Sequence, residues 1–470
     1  MMQVLKADIC IIGAGSGGLS VAAGAAQLGR KVILIEEGVM GGDCLNTGCV
    51  PSKALIAAAK RAHALRHADK FGIANTDPQI DFAAVMNHVH GVIETIAPID
   101  SQKRFEGLGV TVLREHAVFT GPRSVEAGGL HIKAKHFVIA TGSTPAAPPI
   151  DGIDSVPYFT NETIFDNKSL PEHLIIIGGG PIGVEMAQAH RRLGAQVTLI
   201  EGSSILNRDD PELTDVVRIQ LLEEGVELLE GAQVEKIQPA PSGACVYVGG
   251  RTIDSSHLLI ATGRKPTVNG LNLEAAGVEY SPKGIKVDAR LRTTNKRIFA
   301  IGDVAGGMQF THVAGYHASI VIRNMLFKAP SRNKEHLAPR VTYCDPELAQ
   351  IGLNEKEARK THGDIKVVRW PFTQNDRAEA ERDTRGLVKV VTNKKGVILG
   401  AGIVGPHAGE LIQPWTLAIT AKLKIRAFTD MIAPYPTRSE ASKRAAGDWY
   451  TQKLFSKGTR KLIDVLSIFD

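Results

Sequence analysis

Residues 41–53 read Gly-Gly-Asp-Cys-Leu-Asn-Thr-Gly-Cys-Val-Pro-Ser-Lys and place Cys44 and Cys49 five positions apart. The segment from Pro51 to Arg66 is rich in Ala, Leu and Lys, and this composition predicts a helix that begins beside the second cysteine. The positive end of the helix dipole, with Lys53 one turn further in, favours a thiolate at Cys49 and lowers its pKa. A cysteine pair of this kind suits dithiol/disulfide exchange.

The cysteine pair is also compatible with half of a zinc site or with two incidental buried cysteines. A zinc site needs two further Cys or His ligands at matching spacing. The remaining cysteines, Cys10, Cys245 and Cys344, stand singly along the chain. We therefore predict no metal site and favour a redox role.

The composition is that of a globular protein with several domains. The chain has 470 residues, 43% of them hydrophobic, and this length suggests about three domains. The net charge of +6 is dispersed, without a run of basic residues, which argues against nucleic-acid binding. The apolar segment 9–12 is too short for a signal peptide, and no apolar run approaches the roughly eighteen residues of a membrane span. We expect a cytoplasmic protein, in which a cysteine pair is more often catalytic than structural.

A dinucleotide-binding pattern opens the chain. A predicted strand over 8–12 leads into a turn containing Gly13, Gly15 and Gly18, then a helix over 19–28 and a second strand over 31–35 that ends at Glu36. Glycines at this spacing let the backbone approach a pyrophosphate at the helix N-terminus, while the acidic residue takes a ribose hydroxyl pair.

The same pattern recurs with Gly178, Gly180, Gly183 and Glu201, and each of these residues lies 165 positions after its counterpart. Two dinucleotide sites in one chain are what a flavoprotein reduced by a nicotinamide nucleotide needs. Glu201 disfavours a 2′-phosphate, so a nicotinamide site here predicts NADH over NADPH, although Arg208 lies nearby in the sequence.

Three further strands end in small polar motifs. Two of them finish in Ala-Thr-Gly, at Gly142 and Gly263, and each is expected to return to the sheet of its own module. A third, beginning at Ile298, ends in Gly302-Asp303, where the aspartate either holds a sugar-alcohol hydroxyl or caps a turn. Prolines 145, 148 and 149 indicate a boundary near residue 150. The last third, from about residue 340, has strands and helices but no glycine turn of this type, which suggests a role in assembly.

In this order, the parts resemble the FAD-dependent pyridine nucleotide-disulfide oxidoreductases, the family of dihydrolipoamide dehydrogenase, glutathione reductase and mercuric reductase. The most specific motif is Gly-Gly-x-Cys-x-Asn-x-Gly-Cys-Val-Pro-Ser-Lys, in which Asp43 stands where Thr is common. The resemblance implies an α/β fold with two Rossmann-like domains and a C-terminal α+β dimerisation domain. The expected domains are 1–150 for FAD, 151–270 for NAD(P)H, 271–338 as a central domain completing the FAD site, and 339–470 for a homodimer interface.

The resemblance also implies roles for individual residues. Cys44 would meet the substrate, and Cys49 would lie against the flavin. Lys53 would sit beside flavin N5 and pair with Glu185. Asp303 would bind the ribityl chain, and Thr311 would lie near the pyrimidine edge of the flavin. Gly142 and Gly263 are expected to contact the two cofactors.

One departure from the family pattern bears on chemistry. Where disulfide reductases of this family end in His-Pro-Thr-x-x-Glu, this chain has Tyr435-Pro-Thr-Arg-Ser-Glu440. A His with a pKa near 6.5 exchanges a proton at neutral pH, whereas a Tyr near 10 is a poor base, and general acid–base help is worth about a hundred- to ten-thousand-fold. We expect Tyr435 of the other subunit, with Glu440 behind it, to act as an acid or hydrogen-bond donor, which favours substrate reduction over dithiol oxidation.

Three functions follow as hypotheses. The main one is reduction of a disulfide by NADH, in the manner of the lipoamide dehydrogenase group. The second is reduction of a metal ion, since mercuric reductase also carries Tyr at this position, although no cysteine follows Cys344 here. The third is a nucleotide-binding sensor with little turnover. The apolar and basic tail 449–469 predicts packing at the dimer seam rather than contact with a membrane surface.

Overall fold

The computed structural model describes residues 3–469. Its first sheet has seven strands. The strand Val32–Ile35 is apolar and buried throughout, as expected for a parallel strand that is covered on both faces. The strand order of the sheet is Thr111–Leu113, Val32–Ile35, Val4–Ile12, Leu130–Ile139, Ser124–Ala127 and Val118–Gly121, with Ile298–Ala300 also paired to Leu130–Ile139. The pairs that flank Val4–Ile12 are parallel, and the last strands form an antiparallel meander.

The second module repeats this plan. Its parallel sheet has the order Glu227–Glu230, Gln196–Glu201, His173–Ile177 and His257–Ile260, and a separate meander contains Val234–Ala240, Gly243–Val248 and Arg251–Ser255. The registers correspond as well: Ile9 pairs with Val32 in the first sheet and Leu174 with Val197 in the second. The repeat predicted from the sequence is therefore a repeat in three dimensions.

The helices of the two modules cover these sheets. The helix that follows each glycine turn begins within the turn, at Ser16 in the first module and at Pro181 in the second. The helices of this part of the chain are Ser16–Gln27, Gly42–Asn46, Cys49–Arg66, Phe82–Asp100, Gln102–Gly107, Pro181–Leu193, Pro211–Glu223 and Thr311–Met325. Short 3₁₀ turns lie at Asp69–Phe71, Ile153–Ser155, Ile164–Asp166, Gly302–Ala305 and Glu335–Leu337.

A strand pair joins the two modules directly. Ser143–Pro145, after the first Ala-Thr-Gly, pairs antiparallel with Arg264–Pro266, after the second. A two-stranded ribbon of Tyr280–Ser281 and Gly284–Ile285 follows the second module. The return of each strand to its own sheet, expected from the sequence, is confirmed by the pairing of Leu130–Ile139 with Val4–Ile12 and of His257–Ile260 with His173–Ile177.

The last part of the chain is an antiparallel sheet with helices. Its strand order is Arg340–Thr342, Glu347–Gly352, Ile398–Gly405, Leu387–Asn393 and Ile365–Pro371. Trp415 is fully buried beneath it and stacks on Phe428. The helices are Glu355–His362, Asp376–Ala380, Ala408–Leu411, Gln413–Thr420, Arg426–Asp430, Glu440–Leu454 and Lys457–Leu466, with 3₁₀ turns at Phe372–Gln374 and Ser467–Phe469. The predicted fold class is thus confirmed, while the predicted domain boundaries stay predictions.

A buried ion cluster fastens this part to the second module. Lys389 is 4% exposed, and its ammonium lies 2.8 Å from carboxylate oxygens of both Asp210 and Glu212 at the start of the helix Pro211–Glu223. Glu355 completes the cluster at 3.1 Å. A buried cation with several carboxylate partners fixes the relative position of the elements that carry them.

The tail lies outside these cores. The helix Lys457–Leu466 has no buried residue, and Leu462, Ile463 and Leu466 are each more than half exposed. Packing of the tail at a dimer seam therefore stays a prediction. Within residues 3–469, no helix is both long and apolar enough to cross a membrane.

Candidate active site

One cleft of about 1830 Å³ gathers most of the residues that the sequence singled out. It runs between the first and second modules, and the start of the antiparallel sheet closes one side with Tyr343. The predicted residues that line it are Gly13, Gly15, Glu36, Cys44, Cys49, Lys53, Gly142, Gly178, Gly180, Glu185, Glu201, Gly263, Asp303 and Thr311. Gly18 and Gly183 lie behind the two turns, and Tyr435 and Glu440 do not line the cleft of their own chain.

The two glycine turns have the same construction. Gly13 and Gly178 have positive φ values of +102° and +114°, and a Cβ on either would overlap the carbonyl of a neighbouring strand. A Cβ on Gly183 would overlap the carbonyl oxygen of Gly178, and Gly18 stands in the same relation to Gly13. Gly180 faces open space. The turns thus leave backbone N–H groups exposed at a helix N-terminus, which is a site for phosphate groups.

The acidic residue of each module is tied back to its own turn. The carboxylate of Glu36 accepts hydrogen bonds from the N–H groups of Ala14, at 2.5 Å, and Gly38, at 2.7 Å. Glu201 accepts the equivalent bond from the N–H of Gly179, at 2.7 Å. Each carboxylate therefore lies at the rim of its glycine turn, and its role in binding ribose stays a prediction.

The two cysteines both line the cleft and are not joined by a disulfide. Cys49 is the first residue of the helix Cys49–Arg66, and its Sγ lies 3.5 Å from Oγ1 of Thr311. A hydrogen bond from Cys44, with further help from Thr311 and the charge of Lys53, lowers the pKa of Cys49 to about 6 against the effect of burial. The same hydrogen bond, together with burial, raises the pKa of Cys44 above its usual value. The pair therefore holds one proton on Cys44 and presents Cys49 as the thiolate.

Lys53 is held in place beside the cysteines. Its Nζ lies 2.8 Å from Oε2 of Glu185, whose side chain is 5% exposed. The second carboxylate oxygen of Glu185 accepts the N–H of Tyr343 at 2.9 Å, and the lysine ammonium lies 4.5 Å from the centre of the Tyr343 ring. The sequence analysis missed Tyr343, because its position in the cleft depends on a strand from the last part of the chain.

Asp303 lines the cleft from the turn Gly302–Ala305. Its carboxylate accepts the hydroxyl of Ser143 at 2.6 Å, and burial raises its pKa. Arg264 approaches to 4.0 Å and also pairs with Asp43 of the cysteine stretch. Arg264 was missed as well, although its position directly after the second Ala-Thr-Gly was a signal that could have found it.

The hydroxyl of Tyr435 is bonded to a carboxylate that the sequence did not indicate. The side chain is 68% exposed, and its hydroxyl donates to Oδ2 of Asp376 at 2.8 Å, which raises the pKa of the phenol. Glu440 instead pairs with Arg444 at 2.9 Å. Asp376 begins the short helix Asp376–Ala380, and no sequence motif indicated it.

Comparison with known proteins identifies the family. A family model described as pyridine nucleotide-disulphide oxidoreductase matches residues 7–318, and the model of its dimerisation domain matches residues 338–446. The chain belongs to this family. The members of the family are FAD-dependent and use NAD(P)H, so the protein is a flavoprotein oxidoreductase, and the match to the dimerisation domain supports a homodimer.

Three relatives of this oxidoreductase cover nearly the whole chain. Mercuric reductase of Streptomyces lividans is 37% identical over 93% of the chain and 95% of its own length. Dihydrolipoyl dehydrogenase of Thermus scotoductus is 36% identical over 95% of this chain and 98% of its own length. A solved structure, the Cu(II) complex of the HOCl-induced flavoprotein disulfide reductase RclA from Escherichia coli, superposes with a TM-score of 0.83 at 30% identity over 93% of this chain and 98% of that one.

The cleft of this oxidoreductase suits FAD. The backbone of the first glycine turn lines it, and Asp303 offers a hydrogen-bond acceptor near the cysteines. The hydroxyl of Thr47, between the two cysteines, is buried without a hydrogen-bond partner among the described residues. An unsatisfied polar atom at the wall of such a cleft fits a site built to hold a polar group. Across residues 3–469, no group of three or more His, Cys, Asp or Glu side chains is arranged to hold a metal ion.

Proposed function

We propose that the protein passes electrons from NADH through FAD to the Cys44–Cys49 pair, and from the pair to a disulfide substrate. The observation that carries this proposal is the position of Cys49. It lies at a helix N-terminus and in contact with Thr311, in a cleft lined by both glycine turns. The pKa of its thiol is lowered to about 6. FAD would occupy the first turn and accept hydride from the nicotinamide at the second.

NADH is the preferred reductant in this proposal. Glu201 lies at the rim of the second turn, where its charge opposes the 2′-phosphate of NADPH. Arg208 lines the same cleft and partly offsets this charge. We therefore expect a preference for NADH rather than exclusion of NADPH, which parallel kinetics with the two nucleotides measure.

The thiols then carry out exchange with the substrate. Cys44 attacks one sulfur of the substrate disulfide and releases the other as a thiol, which gives a mixed disulfide. Cys49 attacks Cys44, releases the second thiol and closes the Cys44–Cys49 disulfide, which two electrons from NADH reduce again. The proton of Cys44 must leave before its attack, and the hydrogen-bonded Cys49 thiolate is the nearest acceptor. Cys49 must give up this proton again before it attacks Cys44, and the first departing substrate thiolate takes up one proton as it becomes a thiol.

Tyr435 of the other subunit sets the direction in this scheme. The chain has no histidine at this position, and a phenol that donates to a carboxylate is a poor base. Reduction of a substrate disulfide requires a proton donor for the departing thiolate, whereas oxidation of a dithiol requires a base. The proposal therefore favours reduction.

The test is an anaerobic titration of the purified, flavin-loaded protein with NADH, followed by turnover with lipoamide and with glutathione disulfide. We expect a yellow protein that develops long-wavelength absorbance when reduced. Cys49→Ser should lose this absorbance and Cys44→Ser should keep it, while both variants lose disulfide reduction. A colourless protein, or equal spectra for both variants, would contradict the proposal.

A metal ion is the second candidate acceptor. Two observations favour it: the similarity to a mercuric reductase, and the Cu(II) complex of the similar Escherichia coli protein. The hydroxyl of Tyr435 donates its proton to Asp376, so in this alternative the lone pairs of its oxygen face the cation. NADH consumption with Hg(II) or Cu(II) in place of disulfides distinguishes this candidate, and absence of turnover with every acceptor would instead indicate the sensor.

The cytoplasm is the proposed location, because a catalytic dithiol needs a compartment in which it stays reduced. The homodimer matters to function here, since Tyr435 and Asp376 lie outside the cleft of their own chain. In the proposal they complete the cleft of the partner subunit.

A further inference from the structure

Arg264 connects the second module to the cysteine stretch. It begins the strand Arg264–Pro266, and its side chain is 13% exposed. Its guanidinium donates to Asn161 Oδ1 at 2.9 Å, to Ser143 Oγ at 2.8 Å and to the Ser143 carbonyl at 2.6 Å, and it forms an ion pair with Asp43. These partners use the planar donor geometry of an arginine, which a lysine cannot reproduce.

Two of these contacts reach residues on either side of Cys44. Asp43 directly precedes Cys44, and Asn161 donates through its amide to the carbonyl of Thr47 at 3.3 Å. The segment between them is the helix Gly42–Asn46, which has five residues. A helix this short has little stability of its own, so its position depends on contacts from outside.

The negative charge of Asp43 balances the positive charge of Arg264. The family motif commonly has Thr at this position, and a hydroxyl would leave the largely buried guanidinium with only the more distant carboxylate of Asp303, at 4.0 Å. A buried cation without a partner is costly, so aspartate and arginine fit this site as a pair. The second carboxylate nearby, Asp303, already accepts a hydrogen bond from Ser143.

We propose that Arg264 is a positioning residue that holds the segment around Cys44 against Cys49, through Asp43 on one side and through Asn161 and Thr47 on the other. The proposal rests on the proposed function only in assigning the cysteines to catalysis. Its consequence is measurable in the resting protein: loss of the ion pair loosens Cys44 and weakens its hydrogen bond to Cys49.

The experiment compares alkylation of the two cysteines in the reduced, flavin-loaded protein, without NADH or acceptor. Brief treatment with iodoacetamide at pH 7, followed by mass spectrometry of the peptide that spans residues 41–53, gives the ratio of Cys44 to Cys49 labelling. We expect Asp43→Asn and Arg264→Gln each to raise this ratio by about threefold or more. A threefold change corresponds to the weaker of the interaction energies measured between residues in contact. The double variant should match Arg264→Gln, because that variant has already lost the ion pair that Asp43→Asn removes.

The matched control is Asp8→Asn, which breaks the ion pair between the partly buried Asp8 and the exposed Lys135 in the first module and should leave the ratio unchanged. Asn161→Ala removes the bond to Thr47 and the bond that Asn161 accepts from Arg264, but it leaves the ion pair with Asp43 in place. It should therefore give a ratio between those of the wild type and Arg264→Gln, and it keeps the proposal testable if Arg264→Gln does not fold. Wild-type ratios in folded Asp43→Asn and Asn161→Ala, or additive effects in the double variant, would overturn the proposal. Because no turnover is measured, failure of the proposed function would not produce that result.

Discussion

Replacing Cys44 by alanine tests the central electrostatic feature of the site. The largest single cause of the lowered pKa of Cys49 is the hydrogen bond from Cys44, and Thr311 and Lys53 contribute less. Burial opposes all three by disfavouring the charged form. The variant therefore loses the main stabilisation of the thiolate while the cost of burial remains.

The size of the effect follows from the titration curve. With a pKa of about 6, roughly nine-tenths of Cys49 is thiolate at pH 7, against roughly one-hundredth at the ordinary value of 9.0. We expect Cys44→Ala to move the titration midpoint up by about one pH unit or more, which leaves about half or less of Cys49 as thiolate at pH 7. Reactivity at pH 7 should fall by about the same factor of two, and by more below pH 6.

The assay is the rate of Cys49 alkylation between pH 5 and 9 in the reduced protein, with the ultraviolet absorbance of the thiolate as a second measure. Cys10→Ala is a matched control, because Cys10 is fully buried within the first sheet, in a core cluster that contains neither Cys44 nor Cys49. The rate should rise with pH through a midpoint near 6 in the wild type and in this control. An unchanged midpoint in Cys44→Ala would refute the reasoning, since the thiolate would then owe its stability to different groups.

Three further predictions concern the rest of the site. Lys53→Met leaves the Glu185 carboxylate buried without its cation, so we expect a loss of about 2–4 kcal/mol in the free energy of unfolding, measured by denaturant titration. Gly18→Ala would place a methyl group against a carbonyl of the first turn and should give protein without bound flavin. Gly183→Ala should instead stay yellow and lose reduction by NADH. Flavin absorbance and stopped-flow reduction distinguish the two variants. Tyr435→His should raise NAD⁺-dependent oxidation of dihydrolipoamide by at least about tenfold, because a base with a pKa near 6.5 becomes available; an unchanged rate would point to a metal ion or another acceptor.

Much of the fold could be predicted because its signals are local. The glycine turns, the helices after them and the acidic residues form a contiguous pattern, and its repetition after 165 residues made chance agreement implausible. The start of the helix at Cys49 followed from the composition after it. The sequence also indicated helices near 409–423, where the structure has two, Ala408–Leu411 and Gln413–Thr420, because Pro414 cannot continue the first one.

The parts of the site that the sequence did not reveal depend on contacts between distant segments. Asp376 and Tyr435 are far apart in the sequence, and their hydrogen bond depends on how a loop packs near the last helices. Arg264 reaches Asp43 across more than 200 positions. Glu440, which the motif placed behind the tyrosine, begins a helix and forms an ion pair along it with Arg444, while the hydrogen bond of the tyrosine goes to Asp376. Spacing in the sequence does not determine such pairs.

The strand Ile298–Ala300 has a consequence for how the protein is made. It completes the first sheet beside Leu130–Ile139, yet the whole second module is encoded between them. During synthesis, the second module has all four strands of its parallel sheet, 173–260, before the first module receives its last one. The strands of the second sheet are therefore all synthesised while the first sheet still lacks one, and the first sheet is complete only after residues 298–300 have left the ribosome.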